Sequence, residues 1–369
     1  MNVTVEKDRT PRRNVELLVR LGVALLVTAS TLLILRWSAG FMRDDEAPRL
    51  AVMLVALVVG VSGVWVLFWL ANEWVSRLPF RRARELLLPV VFVGPAVGLL
   101  LVYLVYPVLN TIYISFFDRK SDLFVGLDNY RFVFTDPNVQ VAFRNNLIWL
   151  VVATSISIAL GLLIAVLVDR IRLEAVAKSL IFLPVAISAV GASVIWRFVY
   201  AFQPAGRPQI GLLNALVVAL GGDPVGWYLR PPWNNLALIV IMIWLQTGFC
   251  MVVFSAAVKA VPEELTDAAR IDGAGELQLF FRITIPYIRG TIVTVGTTVL
   301  IAVLKVFDIV YVMTRGNYDT EVIANRMYLE MYRFGNFGHG AALAVILFIA
   351  VIPAMVMNLR NLRAQRSES

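Results

Sequence analysis

Six stretches of this chain, 50–72, 86–106, 145–168, 179–196, 233–258 and 340–359, contain no Asp, Glu, Lys or Arg. A helix needs about 20 consecutive apolar residues to cross the hydrocarbon core of a bilayer. Each stretch therefore reads as a membrane-spanning helix. Two further spans carry a charge at the edge or inside. Residues 21–35 lie between Arg20 and Arg36 and reach full length if Arg20 snorkels to the interface. Residues 290–314 are interrupted by Lys305 and Asp308. The expected fold class is an all-α membrane protein with eight spans.

Composition closes the soluble alternative. Only 16% of the 369 residues are charged and 59% are apolar, where soluble domains carry about 25% charge. A single cysteine, Cys250, forbids an intrachain disulfide. With one histidine, His339, no zinc or redox cluster can be assembled. The net charge of +8 fits arginines at the ends of spans better than a nucleic-acid surface, so no nucleic-acid partner is expected. The first run has the basic leader (Arg12, Arg13) of a signal peptide. No A-x-A-like cleavage site follows it, and Arg36-Trp37 reads as an interface, so a retained helix is expected.

Lysine and arginine in the connecting segments set the direction. With the N-terminus inside, 18 of the 33 basic residues fall in inside segments and 13 in outside ones. Both termini are then expected in the cytoplasm. The longer outside segments are 107–144, 201–232 and 315–339. Their aromatics (Tyr113, Phe116, Phe117, Trp227, Tyr228) suit either an external partner or a lipid-interface belt. Residues 210–220 read as a short amphipathic surface helix.

One inside loop, 259–289, stands apart. Pro262 sits at an expected first helical position, Glu263 and Glu264 complement the helix dipole, and Gly273 stops the helix. Leu265, Ala268 and Ala269 form one apolar stripe at i, i+3, i+4. A second amphipathic piece with Leu277, Phe280 and Phe281 ends at Pro286. A helix resting on lipid would favour basic flanks and large apolar residues. This one is acidic at its start and lined with alanines, as a protein-docking knob would be.

The loop resembles the E-A-A, three residues, G, nine residues, I-x-L-P signature of the membrane subunits of bacterial ABC importers. Here Asp267-Ala268-Ala269 is followed by three residues, Gly273, nine residues and Ile283-Thr284-Ile285-Pro286. Asp stands for Glu and Ile for Leu; every spacing matches. The words Leu304-Lys-Val-Phe-Asp308 and Val312-Met-Thr314 look like the maltose-type carbohydrate branch, and Trp244-Leu-Gln-Thr-Gly-Phe249 and Val322-Ile-Ala-Asn-Arg-Met327 resemble the α-glucoside permeases. The resemblance extends over about residues 86–360.

The resemblance implies a type I importer fold. Residues 1–85 would hold an N-terminal segment and two extra helices, 86–360 a six-helix permease core, and 361–369 a cytoplasmic tail. It also implies that the loop docks in a groove of an ATP-binding subunit through Glu264, Asp267, Ala268, Ala269, Arg270, Gly273 and Pro286. Closure of two such subunits would rock the membrane helices, and an external binding protein would deliver the sugar. A second, homologous permease subunit completes the implied assembly in the bacterial inner membrane, surrounded by lipid. The chain lacks the G-x-x-x-x-G-K-[ST] phosphate loop, so ATP and Mg are expected on the partner subunits, no cofactor on this chain, and no enzymatic role for it.

Sugars are held by polar groups on their hydroxyls and aromatic faces on their C–H surface. Gln246, Thr247 and Phe249 offer that mixture in the sixth span, and Lys305 and Asp308 in the seventh. Charges within a span face a cavity or each other. Lys305 and Asp308, three apart, read either as a pair acting as an interhelical clamp or as substrate contacts. Gln246 reads equally as a bond to a neighbouring helix. Asn325 and Arg326 fall in an outside segment, where a binding protein would touch them. The rival readings are an ion-coupled secondary transporter and a membrane enzyme. The first calls for related halves with broken helices, the second for an acid–base cluster within the spans; neither pattern is evident.

Overall fold

The structure, a computed structural model, describes residues 10–44, 47–76, 81–169 and 171–368. Lys7, Arg9, Arg77 and Arg170, counted above for orientation, lie outside the described residues, as does the side chain of Arg20. By internal packing the chain divides into two units, Met1–Val108 and Leu109–Ser369.

The first unit is built from α1 (Thr10–Met42), α2 (Arg49–Ser76) and α3 (Arg81–Leu100), which runs through a π-helical turn into α4 (Tyr106–Ile114). The Trp74 indole N–H donates to the Thr28 hydroxyl at 3.5 Å, and Phe68 stacks on Phe92. Leu57, Val61 and Trp65 on α2 are exposed, as a lipid-facing helix requires.

The second unit holds, in order, α5 (Asp128–Thr135), α6 (Pro137–Val168), α7 (Glu174–Phe182), α8 (Ala189–Val199), α9 (Leu212–Ala219), α10 (Trp233–Lys259), α11 (Glu263–Ile271), α12 (Glu276–Leu279), α13 (Ile285–Tyr287), α14 (Arg289–Leu304), α15 (Asp308–Met313), α16 (Ile323–Tyr328) and α17 (Phe337–Glu368). Its core is the α6–α10 pair, where Trp149, Leu238, Met251 and Phe254 are fully buried and Val295, Val299 and Ile309 close in from α14 and α15. Asp136 starts α6: its carboxylate accepts the Asn138 and Val139 N–H groups, and Pro137 occupies the first turn, where its missing N–H costs nothing. Helices approach closely in lipid where a side chain is absent. A Cβ on Gly248 of α10 would stand 2.6 Å from the Ile181 carbonyl oxygen of α7.

Among the described residues seven helices are long and apolar enough to cross a membrane, and a bent pair brings the number to eight if its two arms count as one span. That pair corrects the expectation of one straight span over 179–196. Helices α7 and α8 meet at 104°. Pro184 lacks an N–H and ends the first arm in a 3-10 turn, and the Ser188 hydroxyl caps a new helix by accepting the Gly191 N–H at 3.0 Å. The seventh span also breaks, between Leu304 and Asp308. The surface helix expected at 210–220 is α9; its one buried residue is polar, Asn214, whose amide donates to the Ala201 and Val225 carbonyls.

Candidate functional site

The segment joining α10 to α14 carries the signature spacing. Pro262 is the residue before α11 rather than its first helical residue, a shift of one position. At the other end Gly273 adopts φ +85°, with nothing within 4 Å of where a Cβ would lie. Glycine is therefore required for backbone direction, not for room. The Gly273 N–H donates to the Arg270 carbonyl at 3.0 Å and the Ala274 N–H to the Ala269 carbonyl at 2.9 Å. These are the two bonds of a Schellman cap, which satisfy carbonyls the helix leaves open.

Arg270 spans the turn: its guanidinium lies 3.1 Å from Asp267 and 3.4 Å from Glu276 of α12. In the free chain Arg270 thus makes its ion pairs within the loop itself. Glu264, Asp267, Ala268, Gly273 and Pro286 are exposed and Ala269 is half-buried. Leu265 of the predicted stripe is exposed too, and Ile271 is 86% exposed. In the second piece Leu279 is buried and Phe280 packs on the core, while Leu277 and Phe281 stay exposed. Leu265, Ile271, Leu277 and Phe281 thus present large apolar groups with no cover among the described residues.

The membrane-path candidates separate on inspection. The buried Thr247 hydroxyl donates to the Ile243 carbonyl of its own helix at 2.7 Å, and Phe249 packs on the core. Gln246 is half-buried. Lys305 is exposed and Asp308 half-buried, and no ion pair joins them. The reason is local: α14 ends at Leu304 and α15 starts at Asp308, so the two do not share a helical face. Next to them runs an aromatic strip absent from the sequence-based expectation. Phe307 stacks on Tyr311 at 5.1 Å, Tyr328 closes on Phe307 at 5.2 Å and on Tyr311 at 5.1 Å, and Tyr332 follows at 5.1 Å from Tyr328.

At the end of the bundle away from the 263–287 loop, three asparagines organise segment 314–336 and a fourth ties α10 to α6. Asn145 donates to the Asp319 and Glu321 carbonyls at 2.6 and 2.9 Å. Asn146 donates to the Leu304 carbonyl at 3.3 Å and accepts the Ile323 N–H at 2.8 Å. Asn234 donates to the Tyr318 carbonyl at 2.6 Å, and Asn235 accepts the Trp149 indole N–H at 2.7 Å. Their only sequence sign is position: each pair opens a charge-free run.

Asn325 and Arg326, expected at an outer contact surface, are instead turned inward. Asn325 is fully buried and donates to the Glu321 carboxylate at 2.6 Å. Arg326 pairs with buried Glu330 at 2.6 Å, and His339 lies 3.4 Å from the same carboxylate, stacked on Phe132. Burial pushes the Glu321 carboxyl above its ordinary value, against the opposing pull of Asn325, the Val322 N–H and the Arg326 charge. Among the described residues no group of His, Cys, Asp and Glu is arranged to hold a metal ion.

The apolar spans and the exposed amphipathic loop define a multi-span membrane protein. Residues 157–367 match the family of binding-protein-dependent transport system inner membrane components, and the chain belongs to that family. It is 61% identical over 274 residues to the osmoprotective compounds uptake permease protein GgtC of Synechocystis sp., covering 74% of this chain and 98% of that one. It is 46% identical over 326 residues to the alpha-glucoside transport system permease protein AglF of Rhizobium meliloti, covering 85% and 97%. The fold matches that of a bacterial alginate ABC transporter solved with an alginate pentasaccharide-bound periplasmic protein, with a TM-score of 0.63 over 73% of this chain and 91% of that one at 22% identity. The architecture is thus the type I importer fold. The ion-coupled carrier finds no support in these relationships.

Proposed function

We propose that this chain is one of two homologous permease subunits of an ATP-driven importer for an α-glucoside or a related small glycoside. The carrying observation is the 263–287 loop, whose spacing fits the importer signature and whose apolar residues stand uncovered. Two ATP-binding subunits supply its cover and hold ATP and Mg; Glu264, Asp267, Ala268 and Gly273 face the groove, Arg270 braces the turn, and Pro286 leads into the span. With that loop inside, eight spans return both termini to the cytoplasm of a bacterial inner membrane, in agreement with the basic-residue bias. The substrate class follows the relatives, whose names specify alpha-glucoside transport and uptake of osmoprotective compounds.

For the path we propose Gln246, Lys305 and Asp308 as hydroxyl partners, with the Phe307–Tyr311–Tyr328 rings as the apolar wall for sugar C–H faces. Thr247 and Phe249, on the same helix as Gln246, complete the proposed path. An external sugar-binding protein feeds it. The test is a mild-detergent pull-down of tagged protein from its native host with identification of what accompanies it. An ATPase and a second multi-span subunit are expected, the ATPase being lost in Asp267→Lys with Gly273→Leu. Recovery of the chain alone, or as a homodimer without an ATPase, overturns the reading.

A further inference from the structure

Behind the docking loop, where α10 ends, five polar side chains from three helices form one connected cluster. Lys178 of α7 lies 2.6 Å from Asp169, which caps α6, and 2.5 Å from Glu174 one turn earlier. The Ser255 hydroxyl of α10 donates to the same Asp169 oxygen at 2.7 Å, and Lys178 also donates to Ser255. Lys259, the last residue of α10, closes the ring on Glu174. Side chains of Asp169 and Lys178 are 12% and 20% exposed, so solvent screens their attraction far less than that of a surface pair. Only three residues separate Lys259 from the first residue of α11.

This cluster goes unused by the docking surface and the sugar path, and its placement has a mechanical meaning. Helix α7 is fixed to α10 at two heights: by the Glu174–Lys259 ion pair and the Lys178–Ser255 hydrogen bond, and by the close approach of Gly248 to Ile181. Asp169 ties in the end of α6. A displacement of α11 reaches the bundle by two routes, the α10 stem on one side and α12 to α14 on the other, and the cluster sits on the first. A stem held to two neighbours carries that displacement into all three helices; a stem held to none bends alone.

We propose that Lys178 is a positioning residue for energy coupling: it locks the end of α6, the start of α7 and the stem of α10 into one body that follows the docking loop. The proposal rests on the importer reading above. It implies that the cluster sets how much transport each ATP hydrolysed yields, not whether the subunits assemble or hydrolyse ATP.

The test uses the intact complex in proteoliposomes, measuring sugar uptake and ATP hydrolysis together. In Lys178→Met, and separately in the half-exposed Lys259→Met, ATPase subunits still co-purify and binding protein still stimulates hydrolysis. Uptake per ATP is expected to fall about tenfold in Lys178→Met, within the usual span of intersite coupling. It falls less in Lys259→Met and is restored by Lys178→Arg. An unchanged ratio in the assembled Lys178→Met complex overturns the proposal. So does a loss of uptake that merely parallels lost assembly, or an equal loss in Lys178→Arg. Failure of the importer reading shows separately, as absence of ATP-dependent uptake in the unsubstituted complex.

Discussion

Two connecting segments of similar length meet water at opposite ends of the same bundle, and they are built on opposite plans. Segment 314–336 turns its polar groups inward: Asn325, Glu321 and Glu330 are buried, and asparagines from α6 and α10 bind its carbonyls. The 263–287 loop turns its apolar groups outward, with Ile271 and Leu277 uncovered and its ion pairs on the surface. The first is closed largely from within, since Asn145, Asn146 and Asn234 bind its backbone, although Asn325 Oδ1 and Arg326 Nε stay buried without a partner. The second is incomplete, since contiguous exposed apolar side chains mark a surface awaiting a partner. The difference is one of internal bonding at one end and exposed apolar surface at the other.

The largest break in that contrast comes at Gly273. A leucine there is forced into the left-handed region, at a cost of roughly 1–2 kcal/mol, and its side chain projects into the docking face. Gly273→Leu is expected to abolish ATPase capture while the protein stays in the membrane with unaltered far-end packing. Retention of normal ATPase binding and transport would show that the loop's turn does not matter to docking. Asn146→Ala is the converse. It strands the buried Leu304 carbonyl and the Ile323 N–H, at about 1–3 kcal/mol per buried unsatisfied group. Thermal unfolding in detergent should shift down while loop-dependent ATPase capture persists. Loss of capture at unchanged stability would mean the two ends are not independent.

Glu321 gives the contrast a pH signature. Its carboxyl is raised in the folded protein, chiefly by burial, so the folded state holds its proton to higher pH than the unfolded chain does. The contribution is fully present below the unfolded carboxylate range and declines as pH rises through that range toward the raised value. Glu321→Gln keeps an acceptor for Asn325 and the Val322 N–H but removes the charge. Its melting temperature is expected to vary less between acid and neutral pH than that of the unsubstituted protein. Parallel pH profiles for the two would place the buried carboxylate's burden elsewhere.

Much of this was legible from residue order alone, for identifiable reasons. Spans show because the hydrocarbon core demands length and excludes charge, and the docking loop shows because its spacing is tied to a helix, a glycine stop and a following proline. The bend between α7 and α8 was less legible: Pro184 lies in a run apolar enough to pass as a continuous helix. Lys305 and Asp308 read as a pair because three residues on a helix share a face, and the break after Leu304 removed the helix. Asn325 and Arg326 read as exposed because polar residues between spans usually are. Their inward turn depends on Asn145 and Asn146, some 175 residues upstream, a long-range pairing that periodicity does not carry. The aromatic strip needs α15 beside α16 and is invisible for the same reason.

Arg270 sharpens the comparison with the smallest expected effect. Its contacts with Asp267 and Glu276 are half-exposed on both sides, and exposed pairs contribute about 0–1 kcal/mol. The Schellman bonds of Gly273 and Ala274 hold the turn without it. If the guanidinium only braces the loop, Arg270→Ala should leave both thermal stability and ATPase capture close to those of the unsubstituted protein, and Asp267→Asn should match it. If Arg270→Ala instead weakens capture strongly while Asp267→Asn does not, the guanidinium leaves Asp267 on docking and pairs with the ATP-binding subunit. The two variants together thus distinguish an internal brace from an interface charge, a distinction the free loop alone leaves symmetrical.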